Sequence, residues 1–319
     1  AKMPLMPDKA PTVRPVIYQL FVRLFGNTNE TRKPNGTLAE NGCGKFADVN
    51  EAALSSLKEM GFTHIWLTGV IEQASGTDYP GRPADDKDIL KGVAGSPYAI
   101  RDYFDVCPDY AIDPSKRLDE YRELIARCHG LGLKVIMDFI PNHVSRCYAS
   151  DVHPEHTFGE HDDRDVFFAR DNHYFYLRAG DPGDGPPLKL PGSGDGFFGP
   201  EAEYGKVTGN NVISWRPSLH DWYETVKLNY GHDFTTGRDT SHLPGADADP
   251  EDVPKTWRTM DEIIAYWQGF GVDGFRADMA HMIPMPFWHW AVKRARSRNP
   301  EVFFTGEAYN GDPMKLTDG

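Results

Sequence analysis

Three short apolar runs of the chain each carry a carboxylate at or near their C-terminal end. Val135 to Ile140 holds Asp138 and runs on into Pro141, Asn142 and His143; Gly274 to Asp278 reads G-F-R-A-D; Val302 to Glu307 reads V-F-F-T-G-E. Runs of this composition and length are strands buried on both faces. Side chains alternate along a strand, so Arg276 and Asp278 share one face while Phe275 and Ala277 share the other. Charges on the inner face of a buried strand must be paired or functional. Two carboxylates facing each other across a pocket are what glycosidic cleavage needs, one to protonate the leaving oxygen and one to attack the anomeric carbon or activate a water. Arg276, two residues before Asp278, is expected to hold that carboxylate ionised, while Glu307 among apolar neighbours keeps its proton. This makes Asp278 the expected nucleophile and Glu307 the expected general acid. Taken singly, the same residues also fit structural roles: Asp138 with Arg276 as a packing ion pair, His143 as a satisfied polar residue beside Pro141. Three acids on successive strand ends favour catalysis.

The elements that must position these groups alternate along the chain. Val16 to Phe25 reads as a first strand, and Asn50 to Met60 as a helix capped by Asn50 and stopped by Gly61. His64 to Thr68 is a second strand, Leu118 to Leu131 a helix, and Val135 to Ile140 the third strand. After a long interval come a helix at Trp257 to Phe270, the strand Gly274 to Asp278, a helix at Phe287 to Arg296, and the strand Val302 to Glu307. Buried strands joined by helices make parallel sheets with right-handed crossovers. No G-x-G-x-x-G turn follows Phe25, which disfavours a nucleotide-binding open sheet. The expected fold is therefore α/β, a (β/α)8 TIM-type barrel of which about the first five β/α units are legible, with its functional groups at the C-terminal strand ends. The interval rich in Gly, Pro, Asp and His is expected to be a small domain inserted after strand 3. The expected boundaries are 1–144 for the first part of the barrel, 145–253 for the insertion and 254–319 for the continued barrel.

Composition narrows the partners. The formal charge of -13, from 47 acidic and 34 basic residues, repels a phosphate backbone and excludes nucleic acid as an expected partner. No run of roughly 18 apolar residues is present to span a bilayer, so no membrane partner is expected. Cys43, Cys107, Cys128 and Cys147 form no C-x-x-C pair and are expected to be free thiols. Ala1 to Pro11 holds no apolar leader run, and the expected setting is cytoplasmic.

Asp138 to His143, Gly274 to Asp278 and Gly306-Glu307 together resemble, in order, three regions of the α-amylase family of glycoside hydrolases. Val16-Ile17-Tyr18-Gln19 is similar to that family's opening strand, and Ser96-Pro97-Tyr98-Ala99-Ile100-Arg101-Asp102-Tyr103 to the segment bearing a sugar-stacking tyrosine. Ser214 to His220 resembles a weaker region in which Asn more often follows the leucine. The resemblance implies a retaining enzyme acting on α-glucosidic linkages of starch-like glucans or maltooligosaccharides, with Asp278 as covalent nucleophile and Glu307 as acid/base. It further implies that Arg276 positions Asp278 with help from Asp138, that His143 bonds a sugar hydroxyl, and that Tyr98 stacks beneath the ring. Asp102 is then expected near the end of that subsite and His281 on the acceptor side, where Met282 replaces a histidine common in α-amylases. No cofactor is required on this reading; calcium at Asn142 is the one metal the resemblance raises, against a structural asparagine. The family's third essential carboxylate lies on a later strand, so a C-terminal remainder of the same enzyme is an expected partner and the 319-residue chain alone is expected to be inactive. A glucanotransferase of the same family, a non-catalytic glycan-binding or scaffold barrel, and a metal-dependent hydrolase using His143 and His281 are the alternatives. No H-x-H or H-E-x-x-H occurs to support the last.

Overall fold

The computed structural model describes residues 14–309. Five strands form one parallel sheet: β1 (Ile17–Phe21), β2 (His64–Thr68), β5 (Lys134–Phe139), β8 (Gly274–Ala277) and β9 (Phe303–Gly306), in that spatial order. The order follows the sequence, as right-handed crossovers through covering helices require. Those helices are α1 (Glu51–Glu59), α2 (Arg117–Gly130), α3 (Lys255–Gly269) and α4 (Met285–Arg298). Two further antiparallel pairs lie outside the main sheet, β3 (Ile71–Gln73) with β4 (Ile100–Val106), and β6 (His143–Ser145) with β7 (Thr225–Lys227).

Alternation sorts the strand side chains into two layers. Ile65, Leu67, Val135, Met137, Phe139 and Phe275 point outward and are buried beneath the helices, against Leu54, Leu124, Ile125, Ile263, Trp267 and Phe287. Removing any one of the larger of these to Ala would cost about 2–5 kcal/mol through lost burial and the cavity left behind. The inner layer is more polar. Ile17, Gln19, Trp66, Ile136, Arg276, Thr305 and Glu307, drawn from all five strands, line one cavity of about 450 Å³. The sheet thus curls around its inner face. His64 of β2 and Phe303 of β9 bring their ring centroids to 5.5 Å across the two strands between them.

Several boundaries differ from those read in the sequence. The first strand ends at Phe21, and Val22–Phe25 turns into a short helix; an apolar run does not by itself distinguish strand from buried helix. Asn50 caps α1 as expected, its side chain accepting from Ala53 N at 3.0 Å, and Gly61 follows with φ +95°. The β3–β4 pair escapes the sequence reading because Glu72, Gln73 and Asp102 are fully buried polar residues that break the apolar pattern of a strand. Between Arg146 and Val253 regular structure is sparse. Here Phe175, Leu177, Val207 and Trp215 form a second buried cluster with Ile89 and Leu90, while Tyr174, Tyr176, Leu228 and Tyr230 pack on the main core. Arg146 and Glu201 form an ion pair at 2.8 Å with both side chains wholly buried.

Candidate active site

Asp138 sits one residue from the end of β5 and is 1% exposed. Its Oδ2 accepts the main-chain N–H of Gly69 at 2.8 Å, and its Oδ1 accepts the indole N–H of Trp66 at 3.1 Å. The Tyr98 hydroxyl lies 3.5 Å from Oδ2. Burial nevertheless pushes Asp138 up to about 6, against the pull of these donors and of Arg276.

Arg276 lies beside Asp138 in register on β8. Its Nη1 reaches Asp138 Oδ1 at 3.3 Å and Asp278 Oδ1 at 3.0 Å, and its Nη2 reaches Glu307 Oε2 at 3.0 Å. The guanidinium faces the Trp66 ring at 4.9 Å, which fixes its plane. One cation therefore serves three carboxylates, so a proton must be held among them for the site to approach neutrality.

Asp278 and Glu307 meet on this one guanidinium, and each feels the other's charge. Burial, the adjacent Glu307 and the nearby negative charge push Asp278 up to about 7. Burial acts on Glu307 in the same direction but is outweighed, because the Met279 N–H at 3.2 Å, Asp278 and Arg276 hold it below the usual carboxylate range. Asp278 is thus raised and Glu307 lowered in the free protein, whereas the sequence reading expects Asp278 ionised and Glu307 protonated. The reason is geometric: Arg276 is not private to Asp278, and Glu307 is not in an apolar pocket, its side chain being 32% exposed and ion-paired.

The remaining expected site residues are placed unequally. Tyr98 stands over the cluster, its ring 6.0 Å from the Arg276 guanidinium, and burial raises its phenol so that it stays protonated. His143 is 3% exposed and lowered to about 4 by burial and by Lys227, so its imidazole is neutral. Its Nδ1 lies 3.0 Å from Asn142 Nδ2, and its ring packs 5.4 Å from that of Trp222. His281 stands at the exposed rim, Nδ1 3.5 Å from the Glu307 carbonyl and ring 4.9 Å from Tyr309. It borders a groove of about 650 Å³ with Trp288, Ile283 and Arg238. Asp102 is not part of the site. It is fully buried in β4, with one oxygen accepting Phe104 N and the other Asp151 N, both at 2.9 Å, so no oxygen is presented to a ligand.

The donor set at Asn142 does not fit calcium. Its Oδ1 accepts the buried ammonium of Lys227 at 3.0 Å, and its Nδ2 donates to the Gly209 carbonyl at 2.8 Å. Calcium needs six or more oxygens, and a cationic amine on the single available one opposes it. Burial lowers Lys227 to about 7.

Sequence reasoning missed Trp66, Gly69 and Met279. Trp66 was legible as a polar-tipped residue between His64 and Thr68 on the inward face of β2. Gly69 (φ +60°) and Met279 (φ 49°) were not, because a left-handed backbone that aims an N–H at a carboxylate leaves no mark in composition.

A parallel α/β sheet that gathers Asp138, Arg276, Asp278 and Glu307 at the C-terminal ends of three neighbouring strands defines a carboxylate-pair site of the kind that cleaves or transfers glycosidic bonds. The family model for the alpha amylase catalytic domain matches residues 19–313, and the chain belongs to that family, whose fold is a TIM-barrel-like α/β fold. Maltase 1 of Drosophila virilis is 26% identical over 267 residues, covering 82% of this chain and 31% of that protein. An alpha-glucosidase of Pediococcus pentosaceus is 25% identical over 268 residues, covering 84% and 35%. The chain therefore spans about a third of the length of these relatives. Among solved structures, an alpha-amylase from Lactobacillus plantarum superposes with a TM-score of 0.52 at 24% identity, covering 93% of this chain and 46% of that one.

Proposed function

We propose that this chain carries the nucleophile and the general acid/base of a retaining glycosidase that opens α-glucosidic linkages of starch-like glucans or maltooligosaccharides. The observation that carries the reading is the contact of Asp278 and Glu307 on one guanidinium. Two carboxyls held by one guanidinium favour the short spacing of retention over the wider one that admits a water for inversion. The names of the relatives, a maltase and an alpha-glucosidase, support an α-glucoside as substrate.

Exposure divides the roles. Asp278 is the deeper of the two and stays on Arg276 Nη1. Glu307 is at the rim, next to the groove of His281 and Tyr309 through which a leaving group can depart. As a glycosidic oxygen arrives at Glu307, the proton held between the acids passes to Glu307 and Asp278 becomes the free carboxylate. Asp278 then attacks the anomeric carbon as Glu307 protonates the departing oxygen, giving a glycosyl ester. Glu307, now a base, takes a proton from the water that attacks the same carbon, and Asp278 is released. Arg276 stabilises the negative charge exchanged between them, Asp138 orients Arg276, Tyr98 stacks beneath the ring, and His143 bonds a sugar hydroxyl. A sugar hydroxyl in place of water would give transfer instead of hydrolysis by the same steps.

Residues 145–253 are proposed as a unit inserted into the barrel, and because the chain spans about a third of these relatives, turnover is assigned to a protein of their full length. In the complete protein, Asp278→Asn and Glu307→Gln are each expected to lower kcat by about 10³-fold or more while maltooligosaccharide binding persists. Full turnover by either variant contradicts the assignment.

A further inference from the structure

Away from the carboxylate cluster, the segment His153-Pro154-Glu155-His156 folds back on itself against β4 and α3. His156 N donates to the His153 carbonyl at 2.9 Å, Thr157 Oγ1 donates to the Pro154 carbonyl at 2.6 Å, and His153 N donates to Ser150 Oγ at 2.9 Å. This turn brings His153, Glu155 and His156 together so that one ligand atom from each lies within 4.8 Å of the others. The two imidazoles are also held by packing. Phe104 of β4 lies 4.7 Å from the His153 ring, edge-on, and 5.1 Å from the His156 ring, stacked, while Tyr266 of α3 meets His153 at 5.6 Å. Ring planes fixed in this way are already oriented before any ion arrives, which lowers the entropic cost of binding one.

A fourth group comes from a distant part of the chain. Glu262, one helical turn before Tyr266 on α3, places Oε2 3.0 Å from His156 Nε2, and Glu155 Oε1 lies 3.0 Å from His153 Nδ1. Among the described residues no lysine or arginine forms an ion pair with Glu155 or Glu262. The contrast with the other carboxylate cluster is informative. Glu72, Asp102 and Asp105 also converge, but Arg82, Arg101 and Arg117 already supply the positive charge there.

We propose that His153, Glu155 and His156 bind one divalent cation of the zinc class, with Glu262, which stands beside His156 outside that converged set, swinging in as fourth ligand. Two imidazoles and two carboxylates are a nitrogen and oxygen set suited to zinc and its first-row neighbours, and ill suited to calcium or magnesium, which take oxygen alone. The two carboxylates neutralise the ion's charge. Bound there, it ties the turn after β6 to the middle of α3, across more than a hundred residues of chain.

The test uses the whole chain, stripped with chelator, dialysed and titrated with zinc chloride alone by calorimetry, with melting temperature followed in parallel. One tight equivalent and a raised melting temperature are expected. His153→Gln with His156→Gln should weaken that equivalent by at least about tenfold. His232→Gln, which breaks another imidazole pair, at 5.3 Å from His242, should leave it intact. Because the histidines pack on Phe104, Glu155→Gln with Glu262→Gln serves as a second variant at exposed positions; unchanged circular dichroism with weakened zinc binding is expected. Absence of a tight equivalent in the parent overturns the proposal, as does an equivalent that keeps its strength in either double variant.

Discussion

One guanidinium among three carboxylates makes proton count, rather than packing, the variable that governs single residues at this site. Asp278 is pushed up to about 7, so between about pH 4 and 7 the folded protein binds a proton that the unfolded chain has released. Its stabilising contribution is complete below the unfolded value near 4 and is lost as pH rises through 7; the lowering of Glu307 offsets part of this. Asp278→Asn is therefore expected to melt about 2–4 °C above the parent at pH 8, with the difference vanishing near pH 4. A variant less stable than the parent at pH 8 would show that Arg276 alone neutralises the cluster. The identity of the cluster was legible in the sequence because Asp138, Arg276, Asp278 and Glu307 are charges on strands too apolar to hold idle ones. The opposite shifts of Asp278 and Glu307 were not, since they depend on where Arg276 Nη2 points and on the Met279 N–H. Asp102 misled because a motif fixes sequence distance, whereas its oxygens are consumed by Phe104 and Asp151 main-chain N–H groups.

At the scale of elements, the strands and helices of the main sheet follow from period and punctuation. α1 is typical: Asn50 caps it, Leu54 and Leu57 bury its inner face, and Gly61 ends it in a left-handed turn. Asn50→Ala leaves the Ala53 N–H without its acceptor and is expected to cost about 1 kcal/mol, read as a shift in urea midpoint with unchanged slope. No shift would mean that water replaces the cap without loss. The β3–β4 and β6–β7 pairs could not be read in the same way. Their partners lie far apart in sequence, and their buried polar residues, Glu72 and Asp102 in one pair and His143 and Lys227 in the other, are satisfied by tertiary contacts that local composition does not announce.

For the molecule as a whole, curvature and edges matter most. β1 and β9 are the edge strands of the described sheet, and Phe304 on β9 is only half buried. Unpaired edges with apolar neighbours recruit other strands. The 319-residue chain is therefore expected to self-associate with rising concentration despite its charge of -13, as followed by sedimentation velocity; a monomer at every concentration would contradict this. The central claim, that Asp278 attacks while Glu307 supplies the proton, is tested most directly by trapping the intermediate. The protein carrying the complete barrel is incubated with an activated fluorinated α-glucosyl donor, digested, and mapped by mass spectrometry. A glycosyl ester on the Asp278 peptide is the expected result; an ester on Glu307, or turnover with inverted anomeric configuration and no ester, would contradict it.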